Sequence, residues 1–197
     1  MIRTEKDFFN ELADKWDEKE TVTPEKYRRI IRELRITKGQ KILDVGTGTG
    51  VLIPYMLEMA GTDTELFAID YAEKMVEKVR LKNFPDNVKP LVMDIHRTNF
   101  EDDFFDRIMV NSCYPHFKDK KTALKELYRI MKPCGIVVIC HPTGRKHVNH
   151  LHANTHELIA QHAVESMSEL KTCVELCGFR FLKGIDKEDF FLISFTK

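Results

Sequence analysis

Lys41-Ile42-Leu43-Asp44-Val45-Gly46-Thr47-Gly48-Thr49-Gly50 is the stretch that decides the fold. An apolar strand runs into a loop with glycine at alternate positions. Val51-Leu52-Ile53-Pro54-Tyr55-Met56-Leu57 follows with the apolar density of a packed helix. Strand, glycine loop and helix in that order make a ligand cradle. Glycine lets the backbone turn tightly and lets a ligand approach without meeting a Cβ, while the helix behind offers free amide donors. A nucleotide-like molecule is the natural occupant. The spacing departs from the dinucleotide fingerprint G-x-G-x-x-G, whose third glycine would fall at Val51. Asp44, two positions before Gly46, puts a carboxylate where that fingerprint would face a pyrophosphate. A fixed negative charge there suits a cationic ligand better than an anionic one.

The segment resembles motif I of the class I S-adenosylmethionine-dependent methyltransferases, a pattern close to (V/I)LDxGxGxG. The amino group and sulfonium of that cofactor account for the carboxylate. The resemblance implies cofactor contacts at Asp44, Gly46, Thr47, Gly48 and Gly50. Downstream, residues 64–70 form a short apolar strand ending in Asp70, which lies 24 positions beyond Gly46. An acidic end to the second strand is how such a fold accepts hydrogen bonds from ribose hydroxyls. Tyr71-Ala72-Glu73-Lys74-Met75 resembles the family's next segment, which implies adenine contacts from Tyr71 and Met75. Residues 88–95 read as a third strand with Asp94 at its carboxyl end. The resemblance places Asp94 near the adenine amino group, with Ile95 beside it. A fourth strand over 104–111 is similar to the family's F-D-x-V pattern, and Asn111 at its end is counted with the cofactor contacts. Met131-Lys132-Pro133-Cys134-Gly135 looks like the family's L-K-P-G-G turn with Cys134 replacing a glycine. The near-continuous apolar run at 136–140 has the signature of a strand buried on both faces.

Outside this core, residues 5–20 carry Phe8, Phe9, Leu12, Ala13 and Trp16 at helical spacing on a charged segment. This amphipathic helix either packs on the domain or serves as a lid, as a leading F-F-x-x-x-A-x-x-W-D helix does in resembling small-molecule methyltransferases. Thr23-Pro24 opens a second helix as a cap followed by proline. A helix over 121–131, a long one over 152–177 and two closing strands at 180–185 and 190–196 complete the chain. The expected fold is α/β: a doubly wound, seven-stranded, mostly parallel sheet of Rossmann-like methyltransferase type, with one antiparallel strand and an N-terminal helical cap. At 197 residues and 43% hydrophobic the chain suits a single domain. Within it, 1–38 form the helical lid, 40–140 the cofactor-binding core, and 141–197 the substrate-side helix and closing hairpin.

Lysine plus arginine balance aspartate plus glutamate at 31 each. No global field gathers nucleic acid or an anionic membrane, so a small-molecule acceptor is expected as the partner. The N-terminus shows no apolar signal core and no run reaches membrane-spanning length, which predicts a cytoplasmic enzyme. The five cysteines form no C-x-x-C pair, so reduced thiols are expected. The pattern leaves the oligomeric state open.

Substrate should meet the loop 111–117 and the segment after Cys140. DNA adenine methyltransferases carry (N/D)-P-P-(Y/F) at the first of these places. Here Asn111 is followed by Ser112 and Cys113, which removes the best support for base methylation. Tyr114 and His116 are the substrate-facing candidates. Six of the eight histidines lie between 141 and 162. His141 directly follows the fifth strand and is a candidate base for a hydroxyl, phenol or amine acceptor. His152 and His156, four apart, would share a helix face and could hold a divalent metal with a third ligand from His141, His147 or His150. The same segment also reads as a polar, solvated helix start. A metal-binding or sensing protein on the same fold is the alternative to methyl transfer to a small molecule.

Overall fold

A computed structural model describes residues 2–19, 21–61 and 63–197, the side chain of Lys19 apart. The chain opens with α1 (Glu5–Leu12), two short 3-10 turns over Ala13–Lys15 and Asp17–Lys19, and α2 (Pro24–Glu33). It then alternates β1 (Lys41–Val45), α3 (Ile53–Ala60), β2 (Glu65–Asp70), α4 (Glu73–Leu81) and β3 (Val88–Val92). β4 (Phe105–Asn111), α5 (Lys120–Ile130), β5 (Met131–His141), α6 (Arg145–Ala153) and α7 (Met167–Leu176) follow, and β6 (Arg180–Lys187) and β7 (Phe190–Thr196) close the chain. One seven-stranded sheet results, in the order β3-β2-β1-β4-β5-β7-β6. β1 to β5 run parallel, and β7 lies antiparallel between β5 and β6. This is the doubly wound sheet with one antiparallel strand that the sequence implies.

Strand alternation explains the two cores. Leu43, Val110, Ile139 and Ile193 face one side, where α5 and α7 cover them with Leu124, Leu127, Leu170 and Val174. Ile42, Met109, Val138 and Leu192 face the other, under Ile30, Ile31 and Leu34 of α2 and Ile53 and Met56 of α3. Strands buried on both faces must be apolar throughout, which is why 136–140 reads as an unbroken run. α2 begins as its sequence dictates: the Thr23 side chain accepts from the Lys26 amide at 3.4 Å, and proline occupies the first turn. From β1 the chain steps outward to β2 and β3, then returns to the opposite side of β1 for β4. The crevice outside the carboxyl ends of β1 and β4 is therefore the switch point where such sheets bind ligands.

Several expectations are corrected. β3 stops at Val92, so Asp94 lies in the following loop, which the Met93 amide ties to the Asp70 carbonyl at 2.9 Å. The 131–135 turn is the opening of a longer β5 that bulges against β4, and Cys134 takes a left-handed φ of 63° there. The long helix over 152–177 is two helices. Asn154 Nδ2 and Thr155 Oγ1 donate to the carbonyls of His150 and Leu151 at 2.8 and 2.5 Å, capping α6. Ser166 and Glu169 form a reciprocal capping box that starts α7 afresh. Between them, Asn149 pairs with both backbone groups of Val164 at 3.1 and 2.8 Å and folds the intervening segment back along α6.

Candidate active site

A cavity of about 490 Å³ opens at the switch point, walled by the glycine loop, the ends of β2 and β4, the N-terminal segment and the folded-back stretch after α6. Gly46 and Gly48 have φ values of 64° and 56°, a region side chains avoid. A Cβ at Gly46 would also lie 2.6 Å from Cys113, whose thiol donates to the Val45 carbonyl at 3.1 Å. The loop is held from both sides. The Thr47 amide donates to the Ile69 carbonyl at 2.9 Å, and the Gly48 amide to Asp70 Oδ2 at 2.9 Å. Gly46, Thr47 and Gly48 face the cavity, but Gly50 packs behind it, where a Cβ would meet Ile53 at 2.8 Å.

Asp44 also stands behind the loop rather than on the cavity wall, because the strand's alternation points it to the face of Ile42. It accepts from Thr47 Oγ1 at 2.7 Å. Burial, reinforced by the neighbouring Asp70 charge, pushes its carboxyl up to about 7. Asp70 lines the cavity, with Oδ1 accepting from the Ala72 amide at 2.9 Å. Burial raises its pKa too, against the opposing pull of the Ala72 and Gly48 amides. No ion pair reaches either carboxylate among the described residues. Two carboxyl groups held out of water without a counter-ion favour a cationic guest, which would stabilise their ionised forms. Tyr71, Met75, Asp94, Ile95 and Asn111 complete this end of the wall. The Asp94 carboxylate accepts from the His96 amide at 2.9 Å, and Asn111 Oδ1 accepts from the Cys140 thiol at 3.1 Å.

The N-terminal segment forms the roof. Phe9 meets Tyr71 and Trp16 edge-on at 6.2 and 6.0 Å, and the Trp16 indole nitrogen would stand 3.6 Å from a Cβ at Gly48. α4 holds this segment: Lys6 pairs with Glu73, Asp14 with Lys78 at 2.7 Å, and Asp17 with Lys82 at 2.8 Å. Asn10 Oδ1 accepts the Lys74 amide at 2.9 Å, which caps a helix whose own N-cap, Ala72, has no side-chain acceptor.

At the far end of the cavity stand histidines. His116 lines the wall with Nδ1 2.9 Å from His162 Nδ1, and His162 Nε2 lies 3.5 Å from Glu5 Oε1. His152, also on the wall, donates from Nδ1 to the His162 carbonyl at 2.6 Å, and its ring centroid is 4.8 Å from that of His116. Burial and then the neighbouring His152 and His162 hold His116 well below the ordinary histidine range. His116 and His152 were visible in the sequence, but Glu5 and His162 were not singled out. They come together only because the break after α6 folds His162 back toward α1.

Tyr114 and His141 do not reach the cavity. Tyr114 is fully buried among Phe117 and the α5 core, and its hydroxyl has no partner among the described residues. His141 is fully buried beside Phe191, both ring nitrogens are unpartnered among the described residues, and burial pushes its pKa down to about 3. The metal expectation is corrected as well. His150 is exposed, and His156 lies beyond the end of α6 with Nδ1 accepting from the Leu158 amide at 3.2 Å. Among the described residues no group of three or more His, Cys, Asp or Glu side chains is placed to hold an ion.

A glycine-loop cavity at the switch point of this sheet, flanked by an acidic end of β2, has the form found in the class I S-adenosylmethionine-dependent methyltransferases. Residues 43–139 match the methyltransferase domain family. The chain is 34% identical over 112 residues to a demethylmenaquinone methyltransferase of Staphylococcus aureus, a match covering 56% of this chain and 46% of that one. The match thus spans about half the length of that relative. Among solved structures, a chain of the complex between the Haloferax volcanii Trm112 methyltransferase activator and a methyltransferase aligns with a TM-score of 0.81 at 18% identity, covering 100% of this chain and 99% of that one. An S-adenosylmethionine-dependent methyltransferase from Aquifex aeolicus aligns at 0.73 with 23% identity, covering 94% and 97%. These two likenesses show the fold. Among the described residues no helix is long and apolar enough to cross a membrane.

Proposed function

We propose that this chain is an S-adenosylmethionine-dependent methyltransferase acting on a small, largely apolar molecule held at the histidine end of the cavity. The observation that carries the reading is the pair of buried, unpaired carboxylates, Asp44 and Asp70, on either side of a loop whose backbone can meet a ligand directly. When bound, S-adenosylmethionine supplies a methyl group activated by a positively charged sulfur. The chain's own residues do the rest. Asp70, oriented by two amides, has lone pairs left for ribose hydroxyls; Tyr71, Met75 and Ile95 offer apolar surface to adenine, and Asp94 a carboxylate to its amino group. Residues 1–38 act as a lid that excludes water over the core of 40–140, with Phe9 and Trp16 closing over the loop. Residues 141–197 supply the substrate side. Because the substitution is in line, positioning carries most of the rate.

Phe8, Phe9, Leu12, Phe117 and Ile159 make the acceptor end apolar. The balanced charge of the chain offers nothing to a polyanion. The relative named for demethylmenaquinone supports an apolar ring as acceptor. Incubation with S-adenosylmethionine bearing a deuterated methyl group and a panel of ring hydroxyl compounds, followed by mass spectrometry, tests the reading. A product heavier by one labelled methyl, formed with S-adenosylhomocysteine, is expected. Failure to bind S-adenosylmethionine at all would overturn it.

A further inference from the structure

We infer that Glu5, His162 and His116 form a proton relay ending on the cavity wall, and that the acceptor it serves is an apolar ring bearing a neutral hydroxyl. This deepens the methyl-transfer reading and rests on it. The three groups come from α1, from the segment folded back after α6 and from the turn after β4, and they meet in sequence: Glu5 Oε1 3.5 Å from His162 Nε2, and His162 Nδ1 2.9 Å from His116 Nδ1. The Glu5 carboxylate, 3.5 Å from His162 Nε2, biases the tautomers of His162 and His116 toward one register. A carboxylate oxygen on that side draws the His162 hydrogen to Nε2 and leaves Nδ1 bare. His116 must then donate from Nδ1, which leaves its Nε2 as a base for a ligand in the cavity. His152 keeps this register: its Nδ1–H is committed to the His162 carbonyl at 2.6 Å.

The atoms balance. As the acceptor oxygen bonds to the methyl carbon, the carbon–sulfur bond breaks and its electron pair stays on sulfur, giving a neutral thioether. The hydroxyl proton passes to His116 Nε2 and the Nδ1 proton of His116 to His162 Nδ1, leaving His162 as an imidazolium beside the Glu5 carboxylate. The positive charge lost at sulfur thus ends as an ion pair between His162 and Glu5, away from the reacting atoms. Lys120 lies near enough to His116 to oppose a further positive charge beside it. That disfavours a cationic amine as acceptor. The Phe9 ring edge-on to His116 at 5.1 Å, with Phe8 and Phe117 on the wall, favours a flat apolar ring. Because Glu5 belongs to α1, the relay is complete only when the roof is in place.

The tautomers are read directly by nitrogen-15 spectra of histidine-labelled protein. The expected signature is His116 protonated on Nδ1 and His162 on Nε2, with both preferences lost in Glu5→Gln and restored in Glu5→Asp. An Nε2-protonated His116 in the parent protein would overturn the relay without any variant having to fold. In protein loaded with S-adenosylhomocysteine, 1-naphthol should bind about tenfold tighter than 1-methoxynaphthalene, the scale of one hydrogen bond to a buried acceptor. His116→Gln should abolish that difference. Equal binding of the two probes to the parent would overturn the hydroxyl acceptor. Failure of S-adenosylhomocysteine to bind would instead count against the methyl-transfer reading, and the spectra of the unliganded protein would still judge the relay.

Discussion

Asp44 and His141 are both buried titratable groups, and the first makes binding depend on pH while the second makes stability depend on it. Asp44 holds its proton up to about 7 in the empty fold. A bound cation favours the ionised form, so affinity for S-adenosylmethionine should climb as pH rises toward 7 and level off above it. Asp44→Asn should flatten that curve; calorimetric titrations across pH 7 check it, and parallel curves for parent and variant would remove Asp44 from the binding energetics. His141 is a base whose folded pKa, about 3, lies below its ordinary 6.5. Its neutral form is the one the fold accepts, so its contribution is complete above 6.5 and is lost as pH falls toward 3. His116 and His152 carry the same sign. His141→Leu replaces an unpartnered buried imidazole with a hydrocarbon, and should leave neutral-pH stability equal or higher while slowing the loss in acid. Urea midpoints measured against pH decide this; an unchanged acid slope would contradict it.

At the scale of elements, the glycine loop and the roof act together. Gly48→Val forces a side chain into a left-handed backbone at a cost of about 1–2 kcal/mol and fills the approach beneath Trp16. The expected outcome is a folded protein whose melting temperature no longer rises with S-adenosylmethionine; a normal rise would refute the loop's role. The roof rests on exposed ion pairs to α4, each weak and further weakened by salt. Hydrogen exchange in residues 5–19 should therefore quicken with added salt while β1 and β4 stay protected, and equal behaviour of both would show that apolar packing alone holds the roof. How legible these elements were follows from their signals. β1, its loop and β2 were readable because apolar runs, alternate glycines and an acidic strand end coincide within 30 residues of sequence. The histidine segment misled because a spacing of four suggests one helix face. The stop signals at Asn154 and Thr155 and the Ser166-x-x-Glu169 box were equally present, and they prevailed by satisfying backbone groups a continuous helix would otherwise have occupied. Glu5 and His162 had no local signal, since their pairing depends on a fold-back set by Asn149 and Val164.

For the whole molecule, strand order is what turns scattered residues into one site. Placing β4 beside β1, with β2 on the other flank, brings Gly46, Asp70, Asn111 and His116 to a single crevice although they span much of the sequence. The order of strands was not written in any one segment, but alternating strands and helices with right-handed crossovers leave few alternatives. Residues outside that crevice were misassigned for the same reason: Tyr114 and His141 sit next to site residues in sequence, and one step along a strand or turn reverses the face a side chain takes. The central claim, that this crevice binds S-adenosylmethionine through the loop and Asp70, is tested most directly by isothermal titration of S-adenosylmethionine into the parent and into Asp70→Ala. The result expected is one site per chain in the parent and a loss of about 1.5–3 kcal/mol in a variant whose circular dichroism is unchanged. No binding by the parent, or equal affinity in the folded variant, would contradict it.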